Sequence, residues 1–171
     1  NFFSASLMGG AGSVIANAAL VKKVYFPRLV LPVSAVISAL INYLLSLPVF
    51  LVVALLSGHT MTSALWLLPI VIAIQTVFSV GIGMLLATLN VFYRDTQFIL
   101  ELALLALMFL TPIWYDIAAF TRSSTAVWLR RLNPMASIVN MYQDIMYRGV
   151  PTNFDFVVRT ALTALAVFVF G

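Results

Sequence analysis

The chain has 171 residues, of which 63% are apolar and only 8% charged, with a mean hydropathy of +1.11 and a net charge of +4. A soluble domain carries about 25% charged residues, whereas here no Asp, Glu, Lys or Arg occurs between Arg28 and Arg94. That pattern excludes a soluble enzyme, a nucleic-acid-binding domain and a disordered tail. At about 20 apolar residues per spanning helix, the uncharged stretch holds two helices and a turn, and the expected fold is an all-α, polytopic transmembrane bundle.

In chain order, residues 1–20 read as the later part of a spanning helix. Ala5, Gly9, Ser13 and Asn17 recur every four residues, so they share one face. Residues 21–32 carry Lys22, Lys23, Arg28, Pro27 and Pro32 and read as a polar connector, with Pro32 suited to the first turn of the next helix. A second span is expected over 33–57, with Ser34, Ser38, Asn42 and Ser46 four apart and Pro48 kinking the helix. Gly58-His59-Thr60 is a turn. A third span covers 64–89, with Ser79, Gly83 and Ala87 on one face. Residues 90–96 form a second polar connector, and a fourth span covers 97–115.

The excursion at 116–153 is more polar. A short helix fits 124–132, and Asn133-Pro134 reads as a helix cap followed by proline at the first position. The turns that follow put Ile138, Met141, Tyr142, Ile145 and Met146 on one face and Ser137, Asn140, Gln143 and Asp144 on the other. That amphipathic helix is too short to span, so it lies at the interface or re-enters partway. A last span is expected over 154–171. The whole of 1–171 reads as one membrane domain, opening and closing inside a helix.

The connectors 21–32 and 90–96 share one side of the membrane. Their cations, Lys22, Lys23, Arg28 and Arg94, lie densely beside span ends, which places them in the cytoplasm. The excursion, with Arg122, Arg130, Arg131 and Arg148, faces outward.

Two readings of the small-residue ladders stand side by side. Such residues let helices pack closely, or, for Ser34, Ser38, Asn42 and Ser46, they line a polar route. Glu101, inside the fourth span, is costly in lipid and so a functional candidate; pairing with Arg94 is the structural alternative. Trp66, Trp114, Tyr115, Trp128, Tyr142 and Tyr147 suit an interfacial belt, although aromatic faces also stack on sugars. There is no cysteine, no phosphate-binding G-x-x-x-x-G-K-[ST] and no H-E-x-x-H. No cofactor or metal site is expected in this chain.

The segment Val21-Lys22-Lys23-Val24-Tyr25-Phe26-Pro27-Arg28, then Leu31-Pro32, resembles the ABC-2 type permeases that export polysaccharides such as O-antigen, capsule and teichoic acid. Asn90 to Asp95 is similar to that family's N-x-x-x-R-D connector. Phe109-Leu110-Thr111-Pro112-Ile113-Trp114-Tyr115 and Leu132-Asn133-Pro134-Met135 follow in the family order. The resemblance implies six spans per subunit, of which an N-terminal helix, the first span and the end of the last are not in this chain. It implies a homodimer in the bacterial inner membrane, in contact with lipid and a glycan substrate, and two copies of a cytoplasmic ABC ATPase that hold the ATP and Mg. Lys22, Lys23, Tyr25, Phe26, Pro27 and Arg28 would dock on that ATPase, with Arg94 and Asp95 as a second contact. The excursion would form gate helices, so that Trp114, Tyr115, Asn133, Pro134 and Tyr142 join Ser34, Ser38, Asn42, Ser46 and Glu101 as candidates for route or gate. An ABC-2 permease for a drug or lipid, or a non-transport scaffold, is the alternative.

Overall fold

The computed structural model describes residues 1–23, 27–56, 63–111, 134–148 and 154–171. Among these residues every regular element is helical. Helix α1 is Phe2–Ala16, α2 Ala18–Lys23 and α3 Val30–Leu56. A 3-10 turn, Ser63–Leu67, leads into α4, Leu68–Phe92. Helix α5 is Thr96–Leu110, and α6, Pro134–Gln143, ends in a π turn over Asp144–Arg148. Helix α7 is Phe154–Phe170.

Two helices, Val30–Leu56 and Leu65–Phe92, are long and apolar enough to cross a bilayer. The first decides the solvent. It has a mean hydropathy of 2.4, yet Ile41, Leu45, Val49, Val53 and Leu56 all face outward. A soluble core helix would have these side chains covered; only lipid or another membrane helix can face them. At 1.5 Å per residue its 27 residues run about 40 Å against a hydrocarbon core of about 30 Å. The helix therefore tilts, bends or emerges, and Pro48 inside it removes one backbone hydrogen bond where a bend is easiest.

Helix α4 is the centre and packs against α1, α3 and α7. Lipid tails are as apolar as Leu, so close backbone approach has to drive this association. A Cβ on Gly10 would lie 3.2 Å from the Gly83 Cα, and a Cβ on Gly81 would lie 2.7 Å from the Phe168 backbone nitrogen. The third ladder thus faces inward: Ser79, Gly83 and Ala87 are all buried. The Phe3 and Phe78 rings stack at 5.9 Å, and Leu7, Ala11, Val71, Ile74, Ile138, Met141 and Ala164 complete the core. Toward the other end the Asn90 side-chain amide, 1% exposed, donates to the Ala11 carbonyl at 2.8 Å.

Several boundaries differ from expectation. The first helix breaks at Asn17, whose side-chain amide turns back onto the Ser13 carbonyl at 2.8 Å. The chain then resumes a helix to Lys23, so the connector expected at 21–32 narrows. Asn90 does not end α4, because its side chain finds a partner on α1; the second connector shrinks to Tyr93-Arg94-Asp95. Helix α5 stops at Leu110, not at 115. Thr111 is extended, with φ −90° and ψ 124°, as the residue before a proline tends to be. Helix α6 is not a surface helix with one wet face. Ile138, Met141 and Ile145 are buried, but so are Ser137 and Asn140, so the helix packs into the bundle. The expected helix at 124–132 and the turn at 58–60 lie outside the described residues.

Candidate functional site

Helices α1 and α4 run parallel, since Phe3 meets Phe78 and Gly10 meets Gly83. Their C-terminal ends, and the start of α3, therefore share one end of the bundle. That end gathers Lys22, Lys23, Arg28, Arg94 and Asp95, all exposed. Lys22 and Lys23 occupy the last turn of α2, where cations complement the negative end of the helix dipole. Pro27 and Arg28 open the turn into α3, their carbonyls accepting from the Val30 and Leu31 amides at 3.1 and 3.3 Å. Thr96 Oγ1 donates to the Tyr93 carbonyl at 2.7 Å, which shapes the Arg94-Asp95 turn at the start of α5. The opposite end carries Trp66, 86% exposed, while Phe92, Tyr93 and Phe98 are exposed at the cationic end. Tyr25 and Phe26 lie outside the described residues.

The route candidates do not form one site. Ser38, Asn42 and Ser46 line an open-sided groove of about 460 Å³ between α3 and the start of α1, beside Asn1, Phe2 and Ala5. The Ser34, Ser38 and Ser46 hydroxyls donate to the Leu31, Ser34 and Tyr43 carbonyls at 2.8–2.9 Å. The four residues of this ladder are exposed. It is therefore not an internal packing seam of this chain. Glu101 belongs to a second groove of about 690 Å³, between α1 and α5, with Ser4, Thr111 and Asn1 as its other polar residues and Leu102, Leu105 and Met108 on its apolar wall. Asn1 lines both grooves, so α1 is the wall between them. No ion pair joins Glu101 to Arg94 among the described residues. Thr111 is buried, and its hydroxyl has no partner among the described residues.

Tyr142 is half-buried on α6. Its hydroxyl donates to Oε1 of Gln75 at 2.7 Å, and Gln75 is 4% exposed within α4. The Tyr142 ring meets Tyr43 of α3 edge-on at 6.5 Å, and Tyr43 in turn stacks on Phe2 of α1 at 5.3 Å. Four helices thus meet at one polar point in an apolar bundle. Gln75 was missed by reading the sequence, although a lone amide in the middle of an uncharged span was the available signal. Pro134 begins α6 as expected; Trp114, Tyr115 and Asn133 lie outside the described residues. No group of His, Asp or Glu side chains suited to a metal occurs among the described residues.

Long apolar helices, small-residue packing and a cationic end define a helical membrane protein, and residues 2–147 match the ABC-2 type transporter family. The chain belongs to that family. It is 38% identical over 146 residues to the O-antigen export system permease protein RfbA of Myxococcus xanthus, covering 85% of this chain and 56% of that protein. It is 30% identical over 171 residues to a protein of the same name from Klebsiella pneumoniae, covering 99% of this chain and 65% of that protein. The chain thus spans about three-fifths of the length of these relatives.

Proposed function

We propose that this chain is the membrane-spanning part of a permease subunit in an ATP-driven exporter, moving a polysaccharide or lipid-linked glycan out across the bacterial inner membrane. The observation that carries this reading is the identity of 30–38% to permeases named for O-antigen export, over 85–99% of the chain. The subunit supplies the path and no ATPase of its own; a separate cytoplasmic ABC ATPase holds ATP and Mg. The exposed Lys22, Lys23 and Arg28, with Arg94 and Asp95, form the docking surface for that ATPase. A second permease copy completes the path. Ser38, Asn42 and Ser46 along the α1–α3 groove support a polyhydroxylated cargo, because hydroxyls and an amide can replace the hydrogen bonds a sugar gives up with water.

A lipid or drug cargo is the second reading, supported by the apolar wall of the α1–α5 groove. One experiment separates the two. The gene of the full-length permease is deleted, and cell-surface glycan and lipid export are measured, then restored by the plasmid-borne gene. Loss of surface glycan with accumulation of lipid-linked glycan inside is the expected result. Unchanged surface glycan would overturn the glycan reading.

A further inference from the structure

We propose that Asn90 is a positioning residue: it ties the end of α4 to α1, so that the Lys22-Lys23 and Arg94-Asp95 pairs are held in one frame. The argument starts where apolar packing stops. The last buried apolar residue of α4 is Ala87, 3% exposed, and that of α1 is Ala11, fully buried. From Thr88 to Ile99 the only buried residue is Asn90, and from Val14 to Lys23 there is none. Both charged pairs therefore lie past the packed part of the bundle, on helix ends with no apolar hold.

What reaches past the packing is one side-chain amide. Asn90 donates to the Ala11 carbonyl at 2.8 Å, joining residues 79 apart in the chain. From Asn90 the backbone leads directly to Arg94: the Tyr93 amide donates to the Leu89 carbonyl at 2.8 Å, and Thr96 Oγ1 donates to the Tyr93 carbonyl at 2.7 Å. On the other side Asn17 carries the tie into α2. Its side-chain amide donates to the Ser13 carbonyl at 2.8 Å, and its own carbonyl accepts from the Leu20 and Val21 amides at 2.9 and 3.1 Å. Lys22 and Lys23 come next. In this series of short bonds, the Asn90 link is the one that crosses between helices far apart in sequence.

The link sets position and adds little to stability. A helical carbonyl already accepts the amide four residues on, so Ala11 does not need Asn90. Asn90 Oδ1, in turn, has no partner among the described residues, and a half-satisfied buried amide is a cost. Leucine, of similar size, would avoid that cost. It would not supply direction: a hydrogen bond fixes distance and angle, whereas an apolar contact lets helices slide. Two charged contacts at a fixed spacing engage one partner tightly, because the first to form raises the effective concentration of the second. That this partner is the ATPase rests on the reading above; the fixed spacing does not.

The chain has no cysteine, so introduced thiols report locally. Full-length permease in lipid nanodiscs, with any cysteine elsewhere replaced and unlabelled copies in excess, carries spin labels at Leu20→Cys and Val91→Cys, both exposed on α2 and α4. A control pair uses Ile41→Cys and Ile70→Cys, exposed on α3 and α4. Pulsed electron paramagnetic resonance reads the distance distributions, thermal unfolding reads stability, and titration with the purified ATPase reads affinity. Asn90→Leu is expected to broaden the 20–91 distribution about twofold, to leave the 41–70 pair and the unfolding temperature unchanged, and to weaken ATPase binding about three- to tenfold. An unchanged 20–91 distribution would overturn the proposal, since filling the volume would then suffice. Broadening of both pairs would overturn it as general loosening, and broadening at full ATPase affinity would overturn the link to docking. If the ATPase bound not even the parent, the docking reading would fall, and the 20–91 distances would still decide the role of Asn90.

Discussion

Two glycines two residues apart on α4 carry different loads. A Cβ at Gly81 would sit 2.7–2.8 Å from the backbone at Val167 and Phe168, while a Cβ at Gly83 would meet the Val36 side chain at 3.5 Å, an ordinary contact. Backbone cannot swing aside as a side chain can. Gly81→Ala is therefore expected to lower stability by about 1–3 kcal/mol through forced separation of α4 and α7. Gly83→Ala is expected to stay within about 0.5 kcal/mol of the parent. Thermal unfolding of the two variants of the full-length protein in detergent checks the order. The spacing of Ser79, Gly83 and Ala87 pointed to the right face for α1, but nothing in spacing singled out Gly81, because its neighbour comes from a helix more than 80 residues away. Asn90 shows the same limit. It looked like a connector residue, and only the nearby Ala11 carbonyl makes it part of the helix.

At the scale of elements, α3 separates two uses of small polar residues. Its Ser and Asn ladder points away from this chain's core, with the serine hydroxyls bonded back to their own helix. Ser38→Leu is expected to leave the unfolding temperature of the full-length protein unchanged, since it touches none of the buried core. Asn42→Leu is expected to leave stability alike but to lower glycan export severalfold if the groove carries the cargo; surface glycan at equal permease abundance measures it. Equal export would return the ladder to a lipid-facing or partner-facing role. The helical period alone told which residues shared a face. It did not tell what the face met, because a span in lipid has no requirement to turn polar residues outward and apolar ones inward. The end of α5 was legible in principle: Thr111 precedes Pro112, and that pairing disfavours helix. A long apolar run hid it.

For the whole molecule, the cationic end is the part most open to test. Replacing both Lys22 and Lys23 with Glu puts two anions at the negative end of α2, at about 0.3–1 kcal/mol each. That destabilises one short helix and leaves α3 and α4 untouched. The expected outcome is loss of ATPase co-purification with membrane insertion intact, read by pull-down beside a topology reporter; undiminished co-purification would move the docking surface elsewhere. Glu101→Gln, in the α1–α5 groove, is expected to reduce export at unchanged abundance, because the carboxylate is unpaired among the described residues and faces the groove. Wild-type export would make Glu101 a residue that simply reaches headgroups or water.

Embedding in the membrane was legible in the sequence alone. It depends on totals and on order along the chain: an uncharged stretch of this length has one favourable solvent. The family pattern was legible for the same reason, since its motifs lie in connectors where local chemistry decides the conformation. What only the tertiary structure decided was which face meets which. Helix α6 buries Ser137 and Asn140 as well as its apolar residues, Tyr142 reaches Gln75, and Glu101 and the α3 ladder line separate grooves on either side of α1. Each of these depends on distances between residues far apart in the chain, set by how closely glycine and serine let backbones approach, and no period or motif encodes such a distance.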